Sequence, residues 1–185
     1  MNNINDFIIE DGVLKEYIGK DKNVIIPNTV VSIAVGAFYG CDSIESIEIP
    51  TSVTSIEDYA FHGCKSLKSI VVPSSVTSIG TYMLFFDCAN LESISLPSSY
   101  ETIKKFAFGN CSKLKSFVVP STVTYIDECA FFNCESLESI EIPASVIHID
   151  KEAFYFSDKD LVIITPVGSY AEKFARENNI RLKLI

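Results

Sequence analysis

The sequence predicts a β-rich α/β solenoid, an elongated coil in which one unit of short strands and turns repeats along the chain. All seven prolines lie 23 or 24 residues apart, at Pro27, Pro50, Pro73, Pro97, Pro120, Pro143 and Pro166. Five of the six cysteines keep the same period, at Cys41, Cys64, Cys88, Cys111 and Cys134. A fixed period of this length is typical of units that bury their apolar faces against their neighbours.

The first 22 residues predict an N-terminal capping hairpin. The segment FIIEDGVLKEYI at 7–18 places two apolar-rich stretches on either side of Asp11-Gly12. Asp-Gly is a strong signal for a two-residue hairpin turn. A solenoid needs such a cap because its terminal unit would otherwise expose core side chains to water.

The units in residues 23–166, about six in number, each predict two short strands and one turn. The segment LESIEIP at 137–143 alternates apolar and polar residues, which indicates a strand with one buried face. Strands one repeat apart are expected to pair in parallel, and the following proline ends each strand without removing a ladder hydrogen bond. The Val-x-x-Ile segment predicts a second strand, and Ala-Phe-x-Gly-Cys predicts a single helical or 3₁₀ turn.

The third unit, residues 73–96, departs from the pattern. It contains one extra residue near Met83, and Leu84-Phe85 replaces the usual Ala-Phe pair. Because surface loops tolerate insertions at low cost, we expect a bulge that the loop absorbs. A kink that serves a ligand is the alternative interpretation.

Residues 167–185 predict a C-terminal cap that consists of a helix and a strand. Ser169 and Glu172 form a capping box at the start of the helix. The apolar residues at helical spacing are Ala171, Phe174 and Ala175. Asn178-Asn179 can end the helix, and IRLKLI predicts a last strand, whereas the register of the preceding strand in DLVIITP stays open. With both caps, residues 1–185 are expected to form a single complete domain.

The cysteine column predicts free, buried thiols. In stacked units these thiols lie about 4.8 Å apart, but their Cβ vectors run parallel and do not converge as a disulfide requires. A straight column cannot surround a tetrahedral metal ion, so no metal site is expected there. We therefore interpret the column as small hydrophobic residues. Cys129 lies off the column and is expected to be the accessible thiol.

Composition argues against several classes of partner. The net charge of −9 and the pI near 4.7 disfavour nucleic acid and anionic membrane surfaces, both of which attract basic proteins. No apolar run reaches the roughly 18 residues that a membrane-spanning helix needs, so membrane insertion is not expected. The segment MNNINDFIIEDG shows no signal peptide. Free cysteines fit a reducing or anaerobic setting.

The unit IPxSVTSIxxxAFxxCxSLxSI resembles the BspA-type leucine-rich repeat of 23 residues over about residues 20–166. The resemblance is specific because Ser-Val-Thr-x-Ile, Ala-Phe and Cys recur at fixed offsets. It implies a right-handed leucine-rich repeat coil with a parallel sheet on its concave side. This repeat is found in bacterial surface proteins and in some parasitic protists, so the resemblance also implies a cell-surface or secreted protein that binds other proteins or host surfaces, and it does not imply catalysis.

The outward side chains of the strand before each proline form the first candidate binding surface. We define the strand column as the residues two positions before each of five prolines, namely Glu48, Val71, Ser95, Val118 and Glu141. Beside it, charges of alternating sign follow the repeat at Glu45, Lys68, Glu92, Lys115 and Glu138. We interpret these charges as a self-neutralising ladder that fixes the stacking of the strands.

A row of rings on the turns forms the second candidate surface. We define the aromatic stripe as the residues that follow the Ala-Phe position, namely Tyr39, His62, Phe86, Phe132 and Tyr155. Exposed rings in a contiguous patch are typical of an interaction site. The alternative is that each ring lies over the neighbouring repeat and is half buried, and Gly109 interrupts the stripe.

These patterns predict a non-catalytic module that binds a protein or glycan partner. A structural spacer or a self-associating scaffold is the alternative function. The chain's two histidines lack metal-ligand spacing, and neither a G-x-S-x-G motif nor a phosphate-binding glycine loop occurs. We therefore expect no enzyme activity, no catalytic residue, no metal site and no cofactor.

Overall fold

The computed structural model describes residues 3–80 and 82–185, which form a β-solenoid of about seven turns. Each turn contributes one strand to each of two rows of parallel strands. Strands one repeat apart are in register, so that Ser46 lies opposite Ser69 and Ile47 opposite Ile70. The predicted solenoid with parallel pairing is confirmed.

The two rows are named by their position relative to the prolines. The pre-proline row consists of β3 Asn23–Ile25, β5 Ser46–Glu48, β7 Ser69–Val71, β9 Ser93–Ser95, β11 Ser116–Val118, β13 Ser139–Glu141, β15 Val162–Thr165 and β16 Arg181–Leu184. The post-proline row consists of β1 Phe7–Glu10, β2 Val13–Tyr17, β4 Ser32–Ile33, β6 Ser55–Ile56, β8 Ser78–Ile79, β10 Thr102–Ile103, β12 Tyr125–Ile126 and β14 His148–Ile149. Between the rows, each unit makes successive turns closed by i→i−3 backbone hydrogen bonds, such as Ala130 N to Asp127 O at 3.2 Å.

A hairpin covers the N-terminal end of the post-proline row. A 3₁₀ turn, Ile4–Asp6, leads into β1, which pairs antiparallel with β2. Asp11 and Gly12 have φ of 48° and 78°, and these positive values are those of a type I′ turn. β2 pairs in parallel with β4, so the hairpin continues directly into the coil.

A stack of phenylalanine rings runs through the core. We define the inner stack as Phe38, Phe61, Phe85, Phe108, Phe131 and Phe154. Neighbouring ring centroids lie between 5.3 and 5.6 Å apart. Both caps extend the stack, because Tyr17 lies 5.5 Å from Phe38 and Phe174 lies 6.2 Å from Phe154. Such ring pairs add about 0.5–1.5 kcal/mol each beyond the burial of apolar area.

The cysteine column lies beside the inner stack and is free of disulfides, as predicted. Its thiols are more than small hydrophobic residues, because each fully buried one donates a hydrogen bond to the phenylalanine carbonyl of the preceding unit. The bond from Cys111 Sγ to Phe85 O is 3.3 Å long. Ser157, which replaces the cysteine in the last unit, makes the equivalent bond to Phe131 O.

The predicted exposure of the Cys41 and Cys129 thiols was wrong. Cys129, expected to be accessible, is only 6% exposed, whereas Cys41 at the N-terminal end of the column is partly exposed. Cys41 is more open because only the capping hairpin lies on its N-terminal side. Burial raises the pKa of the Cys41 thiol to about 11, with help from the neighbouring Asp42 carboxylate.

Both rows of strands are interrupted between the third and fourth units. β8 and β10 belong to different sheets, as do β9 and β11. This interruption follows the insertion near Met83 in the chain. Tyr100 follows the interruption directly and is only 2% exposed, in a column that otherwise holds buried valines. The larger ring needs space between the turns, and its buried hydroxyl has no hydrogen-bond partner.

A helix and a strand follow the last unit at the C-terminal end. α1, Tyr170–Glu177, begins at Ser169, whose hydroxyl accepts a hydrogen bond from Glu172 N. Its buried residues are Ala171, Phe174 and Ala175, as the helical spacing predicts. β16 pairs in parallel with β15, and Ile163 of β15 lies opposite Ile140, which settles the open register.

Candidate binding surfaces

The strand column lies on the outer face of the pre-proline row. All five of its side chains are exposed, because they alternate with inward residues such as Ile47 and Ile140. Val71 is 64% exposed and Val118 is 67% exposed. The column therefore presents two isolated apolar side chains near its centre and a carboxylate at each end.

The charge ladder beside the strand column forms only in the first units. Glu45 makes ion pairs with Lys22 at 2.7 Å and with Lys68 at 2.6 Å. Hydrogen bonds from these two ammonium groups lower the pKa of Glu45 to about 2. Within the described ranges, Lys115 makes no ion pair with Glu92 or with any other carboxylate. Among the described residues, the predicted ladder is thus limited to the two ion pairs of Glu45, since Lys68 makes none with Glu92 and Lys115 none with Glu138 although their strands are paired.

A groove of about 530 Å³ lies on the pre-proline face where the rows are interrupted. Glu92 and Ser93 line one side, and Lys115 and Ser116 line the other. Because β9 and β11 are not paired there, the side chains on the two sides are free to separate. Glu92 and Lys115 lie on opposite sides of this groove.

The aromatic stripe forms a second, outer stack in its first three members. The Tyr39 and His62 rings are 4.7 Å apart and nearly parallel at 3°, and His62 and Phe86 are 5.3 Å apart at 20°. Rings stacked along the coil axis cover each other's faces and present their edges to solvent. This arrangement matches the alternative in which each ring lies over the neighbouring repeat.

Gly109 does not leave a gap in the stripe. A Cβ atom at this position would lie 2.7 Å from the ring of Phe86, which occupies the space instead. Phe106 then joins Phe86 and Phe132 through edge contacts at 5.7 and 5.8 Å. The ring contacts are therefore continuous past the glycine, although the geometry changes from parallel to perpendicular.

Exposed rings in the stripe are confined to its ends. Tyr39 is 62% exposed at the N-terminal end and Tyr155 is 50% exposed at the C-terminal end. His62, Phe86 and Phe132 are half-buried. Burial lowers the pKa of His62, and its Nδ1 atom is buried without a hydrogen-bond partner. His62 is therefore held as a neutral ring of the stack.

The structure contains a further apolar patch on the post-proline row, which the sequence analysis did not predict. Ile147 is 57% exposed and Tyr125 is 43% exposed, and the His148 ring lies between those of Tyr125 and Tyr170 at 5.8 and 6.2 Å. The available signal was that Tyr125 and His148 occupy a repeat position that elsewhere holds serine or threonine. The patch lies at the C-terminal end of the row and does not join the strand column.

No helix among residues 3–80 and 82–185 combines the length and the apolar character required to cross a membrane. In the same ranges, one group of three side chains has the spacing of metal ligands, and it consists of Glu128, Cys129 and Glu152. These residues lie outside both predicted surfaces.

Three solved structures illustrate what the fold is similar to. A leucine-rich repeat protein of T. pallidum has a TM-score of 0.72 and 24% identity, over 98% of this chain and 97% of that chain. A leucine-rich repeat protein of Bacteroides ovatus has a TM-score of 0.62 and 31% identity, over 84% and 47%. A leucine-rich cell surface protein of Faecalibacterium prausnitzii has a TM-score of 0.57 and 25% identity, over 82% and 61%. None of the curated proteins matches the sequence.

The family of the BspA-type leucine-rich repeat region matches residues 8–104 and 83–181, with six copies. The two matched ranges together include nearly all of the coil and both of its rows. They contain the prolines, the cysteine column and the Ala-Phe pairs that define the unit. The chain therefore belongs to the BspA-type leucine-rich repeat family.

Proposed function

We propose that the protein is a non-catalytic binding module that holds a protein partner on its strand column. The observation that carries this proposal is the exposure of Val71 and Val118, at 64% and 67%, in the middle of regular strands. No described part of the chain covers them. Exposed apolar side chains on a rigid strand are bound with little loss of conformational freedom.

The chemistry of the strand column favours a partner with an apolar centre and basic ends. Glu48 and Glu141 are four strands apart, which is about 20 Å at the usual strand spacing. Between them lie Val71, Ser95 and Val118, none of which is charged. Carboxylates at the rim of an apolar contact give orientation and speed of association more than affinity.

The non-catalytic part of the proposal is supported by the surroundings of the histidines. His62 is stacked between two rings, and His148 lies between two tyrosines. In the described residues, neither ring forms a hydrogen bond with a serine, threonine or cysteine nucleophile. A general base needs such a contact with the group that it deprotonates.

A location at the surface of a bacterial cell is part of the proposal. It is supported by the family and by the similarity to the cell surface protein of Faecalibacterium prausnitzii. Labelling of intact cells with an antibody against this protein tests it, and labelling only after permeabilisation would contradict it.

A structural spacer or self-associating scaffold is the second candidate function. The observation in its favour is the parallel stacking of Tyr39, His62 and Phe86, which uses their ring faces within the molecule. Tyr39 keeps one open face at the end of this stack, where a second copy could add a ring. Light scattering over a range of concentrations would detect such association.

A capture experiment separates the two functions. The immobilised protein is exposed to an extract of its native surroundings, and the Val71→Lys/Val118→Lys variant is compared with the wild type. We expect a retained protein whose affinity for this variant falls by at least about tenfold, because central interface residues dominate binding. The matched control is Val31→Lys/Val167→Lys, which changes two exposed apolar residues outside the strand column and should leave retention unchanged.

Two outcomes contradict the proposal. If a partner is retained by the strand-column variant but lost from Tyr39→Ala/Phe132→Ala, the aromatic stripe is the binding surface. If no protein is retained by the wild type, the spacer function is favoured.

A further inference from the structure

Glu128, Cys129 and Glu152 form a compact group of possible metal ligands on the turns of the fifth and sixth units. The Cys129 thiol and one oxygen of each carboxylate all lie within 4.8 Å of one another. Cys129 and Glu152 occupy equivalent positions, nine residues after Pro120 and Pro143. The backbone joins the two turns directly, since Cys129 N donates to Glu152 O at 3.1 Å.

The Cys129 side chain has no partner of its own. The residue is only 6% exposed. The other five thiols each donate to a backbone carbonyl, whereas Cys129 Sγ has no hydrogen bond among the described residues. In the second and fourth units the equivalent residues are Tyr59 and Phe106, so a buried sulfur takes the place of a ring there. An unpartnered thiol that faces two carboxylates is an unusual use of a buried position.

We propose that these three side chains bind a divalent cation of the zinc type, with a water molecule as the fourth ligand. Thiolate and carboxylate donors together suit zinc, whereas magnesium and calcium require oxygen ligands alone. Donor atoms around a tetrahedral zinc ion lie about 3.5 Å apart. Small movements of the two glutamates reach this spacing, and their side chains are 45% and 43% exposed and so have room to move.

A lysine pairs with one carboxylate of the site in the absence of metal. Lys105 Nζ lies 2.9 Å from Glu128 Oε1 and 5.3 Å from the centre of the Phe106 ring. An ammonium group at this position offsets the negative charge that a metal would otherwise neutralise. The positive charge of Lys105 beside Glu128 opposes a bound cation, so the lysine acts as a competitor and limits the affinity.

Cobalt titration of the reduced, metal-free protein tests the proposal. Cobalt is a spectroscopic substitute for zinc, and a cobalt–thiolate bond gives a charge-transfer absorption in the near ultraviolet. We expect this absorption to saturate at one equivalent of cobalt and to disappear when zinc is added. It should be absent in Cys129→Ser, and Glu152→Gln should weaken cobalt binding by at least about tenfold.

Two further variants keep the test decisive if Cys129→Ser is unstable. Lys105→Met removes the competitor and should tighten cobalt binding by about two- to fivefold, the range expected for an exposed ion pair. Cys41→Ser changes the only other thiol that is not fully buried and should leave the titration unchanged. The proposal is overturned if the wild type gives no charge-transfer absorption, if the absorption depends on Cys41, or if Lys105→Met weakens binding.

Discussion

The inner stack and the aromatic stripe are both rows of rings with the period of the repeat, yet only the inner stack is uniform. Phe61, Phe85 and Phe108 are fully buried, and the stack crosses the interruption of the strands with a centroid distance of 5.6 Å between Phe85 and Phe108. The stripe is parallel from Tyr39 to Phe86 and then turns to edge contacts. Close packing on all sides fixes the inner rings, whereas the outer rings adapt to local changes in sequence.

This difference shows which positions of the repeat are fixed by packing and which positions can vary in geometry. Inner positions tolerate an insertion by keeping their rings in contact while both strand rows separate. The outer rings change their geometry at the same place, since the parallel part of the aromatic stripe ends at Phe86. Function is therefore expected on the outer columns, and stability on the inner ones.

The largest expected effect comes from removing one ring from the inner stack and, for comparison, one ring from the aromatic stripe. Phe108→Ala should lower the free energy of unfolding by about 3–5 kcal/mol, because a fully buried ring leaves a cavity. Phe132→Ala should cost about 1 kcal/mol, since that ring is half-buried and its neighbours can close over the site. Urea unfolding followed by circular dichroism measures both. Equal losses would show that the stripe is as structural as the stack.

Removal of the buried Tyr100 hydroxyl should instead raise the free energy of unfolding. Tyr100→Phe is expected to raise the free energy of unfolding by about 1–2 kcal/mol, because a buried hydroxyl without a partner is costly and the ring is retained. Tyr125→Phe on the outer face is the control and should be neutral within about 0.5 kcal/mol. A loss of stability in Tyr100→Phe would mean that the hydroxyl has a partner in solution.

The contribution of the thiol hydrogen bonds in the cysteine column can be measured at Cys111. Cys111→Val should cost about 1 kcal/mol, because Phe85 O loses its bond from the thiol but keeps one from Cys88 N. Cys111→Ser should be less harmful than its polarity suggests, since Ser157 makes the same bond in the last unit. Thermal unfolding of the two variants decides the point. If valine is tolerated better than serine, the column acts by apolar packing alone.

The smallest expected effect lies in the outer charge ladder. The lowered pKa of Glu45, about 2, means that this carboxylate contributes stability above its usual pKa of 4.5, and that the contribution is lost as the pH falls from 4.5 towards 2. Lys68→Met should raise the pKa of Glu45, while Lys22 still keeps it below 4.5. Carboxyl carbon NMR measures the titration directly. Lys151→Met is the control, and an unchanged Glu45 pKa in Lys68→Met would exclude the pairing seen here.

Much of the fold followed from the sequence because it depends on local signals and one period. The Asp11-Gly12 turn, the helix after Ser169 and the parallel register all rest on residues that are close in sequence or exactly one repeat apart. The thiol hydrogen bonds did not follow, since a cysteine at a buried position looks like a small apolar residue. Their best signal was Ser157, whose hydroxyl replaces a thiol.

The surfaces followed less well because they depend on contacts between units. The insertion near Met83 suggests a local bulge, but the interruption of both rows also involves Tyr100, which lies in the next unit. Alternating charges predict a continuous ladder, but among the described residues its ion pairs form only around Glu45. The metal-ligand group was missed because Cys129 and Glu152 are 23 residues apart and only the fold brings them together.

The most direct test of the central claim is the stability of the Val71→Lys/Val118→Lys variant. If the strand column does not stabilise the fold, the free energy of unfolding of this variant in urea should match that of the wild type within about 1 kcal/mol. Both substituted side chains are exposed, and Glu48 and Glu141 lie next to the new charges. A loss of more than about 3 kcal/mol, comparable to that of Phe108→Ala, would contradict the claim. The column would then belong to the fold and would not be available to a partner.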